Sequence, residues 1–350
     1  MNIKPILFFV LSLGVQIGLS QGQKTYQVRT VAFYNLENLF DTENDSLTLD
    51  DDRTPAGKDQ WTVNRYEKKI AHMARVLAEI GRNISTTSPD IVGLCEVENR
   101  QVIEDLLQHP YLRDNDYSVI HYDSPDERGI DVALIYKKSA FIPNSFKSHR
   151  LLLFNDEGLR DYTRDQLVVG GHLDNEEVHF LVNHWPSRSG GEARSRPNRI
   201  AAAKLNKRII DSITAFDADA KIISMGDFND DPINDSFKKI LRTSDGSKAA
   251  VGTVGLFNPM ERLFKKGVGS LAYRDKWNLF DQIYCTMNFI SEDKKKYSFW
   301  KAGVYSPEYL IDPSGKYKGY PLRTYAAGSY IGGYSDHFPV YLYLIRKVKS

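Results

Sequence analysis

Short apolar runs rich in β-branched and aromatic residues recur along the chain, bounded by turn formers: VRTVAFYN (28–35), DIVGLCEV (90–97), DVALIYK (131–137) and DQLVVGGHL (165–173). Four more follow: VHFLVNHW (178–185), KIISMGDF (221–228), FDQIYCT (280–286) and PVYLYLI (339–345). Such runs predict strands. Elsewhere the apolar positions follow the helical period. Residues 63–81 align Ile70, Met73, Ala74, Leu77 and Ile80 on one face and end in Gly81. Residues 199–215 repeat the pattern with Ile200, Ala203, Leu205, Ile209 and Ile210, and 102–112 predict a shorter helix. Hairpin-like strand pairs with helices between them predict layered α/β architecture rather than strict alternation. Polar, irregular stretches at 41–62, 186–198, 242–276 and 312–334 are too short and unbiased to be linkers, so residues 25–350 are expected to form one domain.

Composition adds three points. At 350 residues, with 41% hydrophobic and 12% aromatic residues, the chain can bury a large core. The start, MNIKPILFFVLSLGVQIGLSQGQ, has one lysine, an apolar run and small residues at Gly18 and Ser20. That is the layout of a secretory signal peptide over residues 1–20, which predicts export to the periplasm or outside the cell. The alternative, an uncleaved anchor, needs a longer apolar run. Without residues 1–20 the chain has 45 basic and 45 acidic residues, so no long-range field marks it for nucleic acid, although a local basic groove is compatible with that balance. Cys95 and Cys285 both lie in strand-like runs and read as two buried thiols.

The informative feature is where the strands end. The first ends in Asn35-Leu36-Glu37-Asn38, the second in Glu96-Val97-Glu98-Asn99, the fifth in Asn183-His184-Trp185-Pro186-Ser187-Arg188 and the sixth in Asp227-Phe228-Asn229-Asp230. The seventh opens with Asp281, and Asp336-His337 precede the eighth. Any one of these has a bland reading as a turn former, a solvated charge or a satisfied core histidine. Together they would aim carboxylates, carboxamides and two histidines at one sheet edge. Asp227 and Asn229, two apart, would face the same side in extended chain. Oxygen donors without a thiolate suit a hard cation such as Mg²⁺, with Mn²⁺ or Ca²⁺ as alternatives.

In order along the chain, FYNLENLF, GLCEVEN, RGIDVALIY, NHWPSR, MGDFND, FDQIY and SDHFPV resemble the endonuclease/exonuclease/phosphatase superfamily over about residues 28–345. This superfamily includes DNase I-like nucleases, inositol-polyphosphate 5-phosphatases and bacterial sphingomyelinases, and the likeness is nearest to exported Bacteroidetes-like members. The resemblance implies a four-layer α/β sandwich, two mixed sheets face to face with helices outside. It implies Glu96, Asn35 and Asp336 as metal ligands and an Asp281–His337 pair near the scissile phosphate. Asp227 and Asn229 would hold the attacking water or the phosphate, and His184 a phosphoryl oxygen or the leaving group. A histidine at that last position leans away from abasic-site endonucleases.

Arg128, Arg188 and Asn183 are candidate substrate contacts, with Arg164 a further one, because a guanidinium matches a phosphate fork. Asp131 could buttress His184 or be a plain strand-end charge. The expected activity is a secreted, divalent-metal-dependent phosphodiesterase with nuclease activity. Phosphomonoesterase or lipid-headgroup hydrolase, of the sphingomyelinase or inositol-phosphate type, is the alternative, and an inactive binding module on the same fold is a remote one. Tyr317, Tyr320, Tyr325, Tyr330 and Tyr334 lie in one stretch that could serve membranes or nucleobases. The partner is a phosphoester, nucleic acid or small molecule; no protein partner is needed, so a monomer is expected.

Overall fold

The computed structural model describes residues 25–246 and 255–348; the export signal expected at 1–20 lies outside the described residues. The first part of the chain supplies β1 (Tyr26–Leu39), β2 (Ile91–Val97), β3 (Tyr117–His121), β4 (Asp131–Lys137), β5 (Phe141–His149), β6 (Gln166–Leu173) and β7 (Glu176–His184). The second supplies β8 (Ile222–Asp227), β9 (Thr243–Ser244), β10 (Leu256–Phe257), β11 (Asp281–Thr286), β12 (Ser298–Val304) and β13 (Val340–Lys347). They build a six-stranded sheet in the order β12-β13-β1-β2-β4-β3 and a seven-stranded sheet in the order β9-β10-β11-β8-β7-β6-β5. Both sheets mix parallel and antiparallel neighbours.

Strand periodicity sets the layers. In β1, Val31 and Phe33 join Phe180, Val182, Met225, Ile283 and Leu342 in the core between the sheets. The alternate residues Ala32 and Tyr34 pack outward with Met73 and Leu77 of α1 (Val63–Glu79) and Leu106 of α2 (Arg100–Gln108). On the far side Leu181 of β7 packs with Ala202 and Ile209 of α3 (Glu192–Phe216). Strands covered on both faces read as continuous apolar runs, which is why the sequence marks them so clearly. The result is the expected four-layer sandwich, helix–sheet–sheet–helix.

Of the strands that the pattern does not predict, β3, β5, β9 and β12 lie at sheet edges, while interior β10 has two residues, too few to leave a pattern. Half-exposed edges carry mixed polar residues and give no apolar run. Helix α3 starts at Glu192, not 199, and encloses Pro197, which by itself signals a helix boundary. Tertiary bonds outweigh it: Arg199 is fully buried and donates to Asp230 at 2.7 Å and to Ser195 at 2.8 Å. Cys95 and Cys285 are buried and unpaired. No described helix is long and apolar enough to cross a membrane.

Candidate active site

Strand register assembles the site. In the seven-stranded sheet Asp227 pairs with His184 of parallel β7 on one side and with Asp281 of antiparallel β11 on the other. In the six-stranded sheet Asn35 pairs with Cys95 of β2, and the ladder then shifts register at Glu96. Glu96 itself has φ +58°. A non-glycine residue in the left-handed region costs about 1–3 kcal/mol and persists where its surroundings enforce it. Glu37, Asn38 and Asn229 share that region, so the backbone strain of the site is concentrated where its polar side chains turn inward. The last contribution comes from β13: Val340 pairs with Phe33, which anchors Asp336-His337 above the first strand.

Distances show a single constellation. His337 Nδ1 stands 2.6 Å from Asp281 Oδ2, and its Nε2 faces Asp227 Oδ2 at 3.9 Å and Asp336 Oδ1 at 3.9 Å. His184 Nε2 lies 3.7 Å from Glu96 Oε1 and 3.8 Å from Asp227 Oδ2. Asn35 Nδ2 donates to Glu96 Oε1 at 3.3 Å and to Asp227 Oδ2 at 3.2 Å. The backbone N–H of Asn229 donates to Asp227 Oδ1 at 2.9 Å, leaving Oδ2 as the oxygen on which the other groups converge.

Burial splits the ionisation of these groups. It raises Asp227 to about 7; His337 opposes that rise, and Asp281 adds to it. Burial alone would also lower His337, but Asp281 and Asp227 outweigh it and hold the imidazole well above its ordinary value. Burial, then the positive charges of Arg164 and Arg128, push His184 well below its ordinary value. The site therefore pairs a protonated His337 with a neutral His184.

Glu96, Asn35 and Asp336 offer oxygen donors without a thiolate, beside the cluster of Asp227, Asp281 and His337, and such a donor set fits a hard divalent cation. Glu96 Oε2 and Asn35 Oδ1 accept the N–H groups of Asn38 and Glu37, which fixes both side chains toward the cleft.

Sequence reasoning missed an adjacent buried pair. Glu37 is raised to about 7 by burial and by Asp336, and Lys69 of α1 is lowered to about 8 by burial. Lys69 Nζ lies 3.8 Å from Glu37 Oε2 and donates to Thr324 Oγ1 at 2.8 Å and to the Tyr334 carbonyl at 2.5 Å. The signals were there: Glu37 lies two residues past Asn35, and Lys69 borders the apolar face of a predicted helix. Ser335, also overlooked, donates to the Asn35 carbonyl at 2.7 Å and clips the C-terminal loop to β1.

Five expectations need correction. Asn183 is fully buried on the α3 side; it donates to Ser224 and the Met225 carbonyl and accepts from Trp185 and Asn206, so it braces the sheet and cannot touch substrate. Arg188 spends its guanidinium on the Asn229 carbonyl, Asp230 and Asn234 and lies over the Phe280 ring, which makes it the brace of the 229–234 loop. Asp131 does not support His184: it holds His121 Nε2 at 3.0 Å and the Ser124 N–H at 2.7 Å. His184 Nδ1 has no hydrogen-bond partner among the described residues. The tyrosines form no common stacking face either. Tyr334 is buried against the His72 ring at 4.2 Å, while Tyr325 and Tyr330 pack on each other. Asn229 lies in the left-handed region and not in extended chain, its Nδ2 is occupied by the Trp185 carbonyl at 3.0 Å, and what it brings to Asp227 is its backbone N–H.

Arg128 does face open space. With Arg164, Tyr162, Phe154, Ser187 and Arg194 it lines a cleft of about 720 Å³ that begins at Pro186, two residues beyond His184.

A profile described as the Endonuclease/Exonuclease/phosphatase family matches residues 30–346. Among curated proteins none matches the sequence. Solved structures do match. The chain is similar to an endonuclease/exonuclease/phosphatase from Bacteroides vulgatus (15% identity, 91% of this chain and 98% of that one, TM-score 0.53). It is also similar to a Bacteroides thetaiotaomicron mannosyl-6-phosphatase (17%, 90% and 99%, TM-score 0.53). A third is D. rerio TDP2 complexed with a single-strand DNA product (14%, 91% and 98%, TM-score 0.51). At these identities the structural likeness speaks for the fold alone.

Proposed function

The chain belongs to the endonuclease/exonuclease/phosphatase family and is a metal-dependent phosphoester hydrolase; from that premise we propose that it is an exported phosphodiesterase with nuclease activity. The observation that carries this reading is the convergence of Asn35, His184 and His337 on one oxygen of Asp227, beside a cleft with room for substrate beyond the phosphate. Such a cleft offers the flanking groups of a diester a place to lie. Export rests on the pattern of residues 1–20.

Glu96, Asn35 and Asp336 would hold a divalent cation, preferably Mg²⁺, which when bound lowers the pKa of water and neutralises charge on oxygen. The chain's own groups do the rest. Asp281 orients His337, whose imidazolium donates toward a phosphoryl oxygen and compensates the charge that develops there. Asp227, with one oxygen held by Asn229, presents the other to take a proton from the attacking water. Such a positioned base contributes about 10²–10⁴-fold. Neutral His184 offers an N–H to a second phosphoryl oxygen or to the leaving group. Arg128 flanks the path of the substrate backbone.

One observation favours a second reading. The hairpin of Leu153–Phe154 and Arg160–Asp161 exposes Leu152, Phe154, Leu159 and Tyr162, of which Phe154 and Tyr162 line the cleft. An exposed apolar rim beside arginines suits a lipid surface as well as stacked bases. The test is a panel of DNA, RNA, bis-p-nitrophenyl phosphate, p-nitrophenyl phosphate, inositol phosphates and sphingomyelin vesicles with Mg²⁺, Mn²⁺ or Ca²⁺. Preferred cleavage of DNA or RNA supports the nuclease reading, and preferred cleavage of vesicle lipid replaces it with the second. Glu96→Ala or His337→Ala should abolish turnover in a folded protein; wild-type turnover on every ester would refute both readings.

A further inference from the structure

Two of the metal-binding residues arrive on arms from opposite ends of the chain. Asn35 stands near the end of β1, and Asp336 in the segment ahead of β13, where residues 331–339 form neither helix nor strand. The ladder between β1 and β13 ends at Phe33 and Val340, so it stops short of both. What joins the arms is one side chain of α1. Lys69 is 2% exposed; its Nζ donates to the Tyr334 carbonyl at 2.5 Å and to Thr324 Oγ1 at 2.8 Å, and lies 3.8 Å from Glu37 Oε2. The same Glu37 oxygen accepts the Thr324 N–H at 2.6 Å, which closes a triangle of ammonium, carboxylate and threonine. From this triangle one step leads to each arm. The Glu37 N–H donates to Asn35 Oδ1 at 2.9 Å. Tyr334 is followed by Ser335, whose hydroxyl donates to the Asn35 carbonyl at 2.7 Å and accepts the His337 N–H at 3.1 Å, with Asp336 between them. Two more groups of α1 hold the same segment: His72 Nδ1 lies 2.8 Å from the Gly333 carbonyl, and Arg75 donates to the Tyr334 hydroxyl at 3.2 Å. Burying an ammonium is costly even when its donors are met. An apolar side chain would fill the space without that cost, as Ile70 and Met73 do beside it. Only the ammonium supplies directed bonds to both arms.

We propose that Lys69 is a positioning residue for the metal: it ties the Asn35 arm to the Asp336 arm and so sets the spacing of the donors that hold the cation. This rests on the reading of Asn35, Glu96 and Asp336 as ligands. The bonds of Lys69 run to Thr324, Tyr334 and Glu37 and to none of the ligands themselves, so its action is through their supports. A competing effect has the opposite sign. The positive charge of Lys69 also acts on Asp336 and Glu96, and by itself it would repel a cation. If repulsion governed, removing the ammonium would tighten metal binding; if positioning governs, removal weakens it. The direction of the change separates the two.

The experiment measures Mn²⁺ binding to the full chain without substrate, reading the free ion by electron paramagnetic resonance. Glu96→Gln should lose binding, which tests the ligand reading by itself; binding that survives this substitution overturns that reading and the proposal with it. Lys69→Met should weaken Mn²⁺ binding by about 10–100-fold, the range typical when a group that orients a metal ligand is removed. Should Lys69→Met not fold, Thr324→Val supplies the comparison: it keeps both charges, removes one bond of the ammonium and should weaken binding in the same direction by a smaller factor. In turnover assays the folded variant should need more Mn²⁺ for half-maximal rate, with substrate KM little changed at saturating metal. Unchanged or tighter Mn²⁺ binding in the folded Lys69→Met protein, or in Thr324→Val where Lys69→Met does not fold, overturns the proposal. With Glu96→Gln still defective, that result leaves the hydrolase reading standing.

Discussion

Replacing Asp227 by Asn should destroy turnover and at the same time stabilise the metal-free protein above neutral pH. The folded carboxyl titrates at about 7 against an ordinary value of 3.8, chiefly because burial disfavours its charge. Folded protein thus holds the proton more tightly than unfolded protein. The favourable contribution is fully present below 3.8 and is lost as pH rises through about 7. At 1.36 kcal/mol per decade of proton affinity, the loss reaches about 4 kcal/mol at pH 8. Asparagine does not titrate and escapes it, but it gives up the ion pair with His337 and the bond from Asn35, which together offset roughly 1–3 kcal/mol. The variant should therefore gain about 1–3 kcal/mol over wild type in chelator at pH 8, an advantage that shrinks toward pH 5. Urea unfolding of both proteins in EDTA at pH 5, 6.5 and 8 measures this directly. A stability difference that does not change with pH, or an Asn variant with substantial turnover, would refute the reasoning.

Asp281→Asn removes the anchor of His337 Nδ1 and should lower kcat by about 10²–10³-fold with a smaller change in KM, while circular dichroism stays unchanged. Chelation with EDTA should abolish activity and Mg²⁺ should restore it, with Glu96→Gln requiring far more metal in the same titration. Lys69→Met leaves Glu37 buried with an uncompensated charge; it should cost about 3–5 kcal/mol at pH 8 and less at pH 6, where Glu37 binds a proton, as thermal unfolding will report. Deleting residues 340–350 removes β13, the central partner of β1 and β12, so the protein should lose cooperative unfolding along with activity.

What the sequence determined by itself was local and periodic. Alternation and apolar runs located the long interior strands, because a strand covered on both faces must be apolar throughout. The polar clusters at strand ends located Asn35, Glu96, His184, Asp227, Asp281 and His337, because chemistry-bearing residues depart from the apolar pattern just where a strand stops. Edge strands β3, β5 and β12 were not legible, since one solvated side blurs their pattern. Nor were the identities of the partners. Asn183 and Arg188 have the right residue types for phosphate, yet register and the packing of α3 turn one into the sheet and bind the other to the 229–234 loop. Pairing Asp227 with both His184 and Asp281 joins residues far apart in the chain, and no local pattern encodes that. Ionisation belongs to the same class: residue type supplies a reference value, but burial and neighbouring charge, which only the folded chain creates, decide that Asp227 rises, His184 falls and His337 stays protonated.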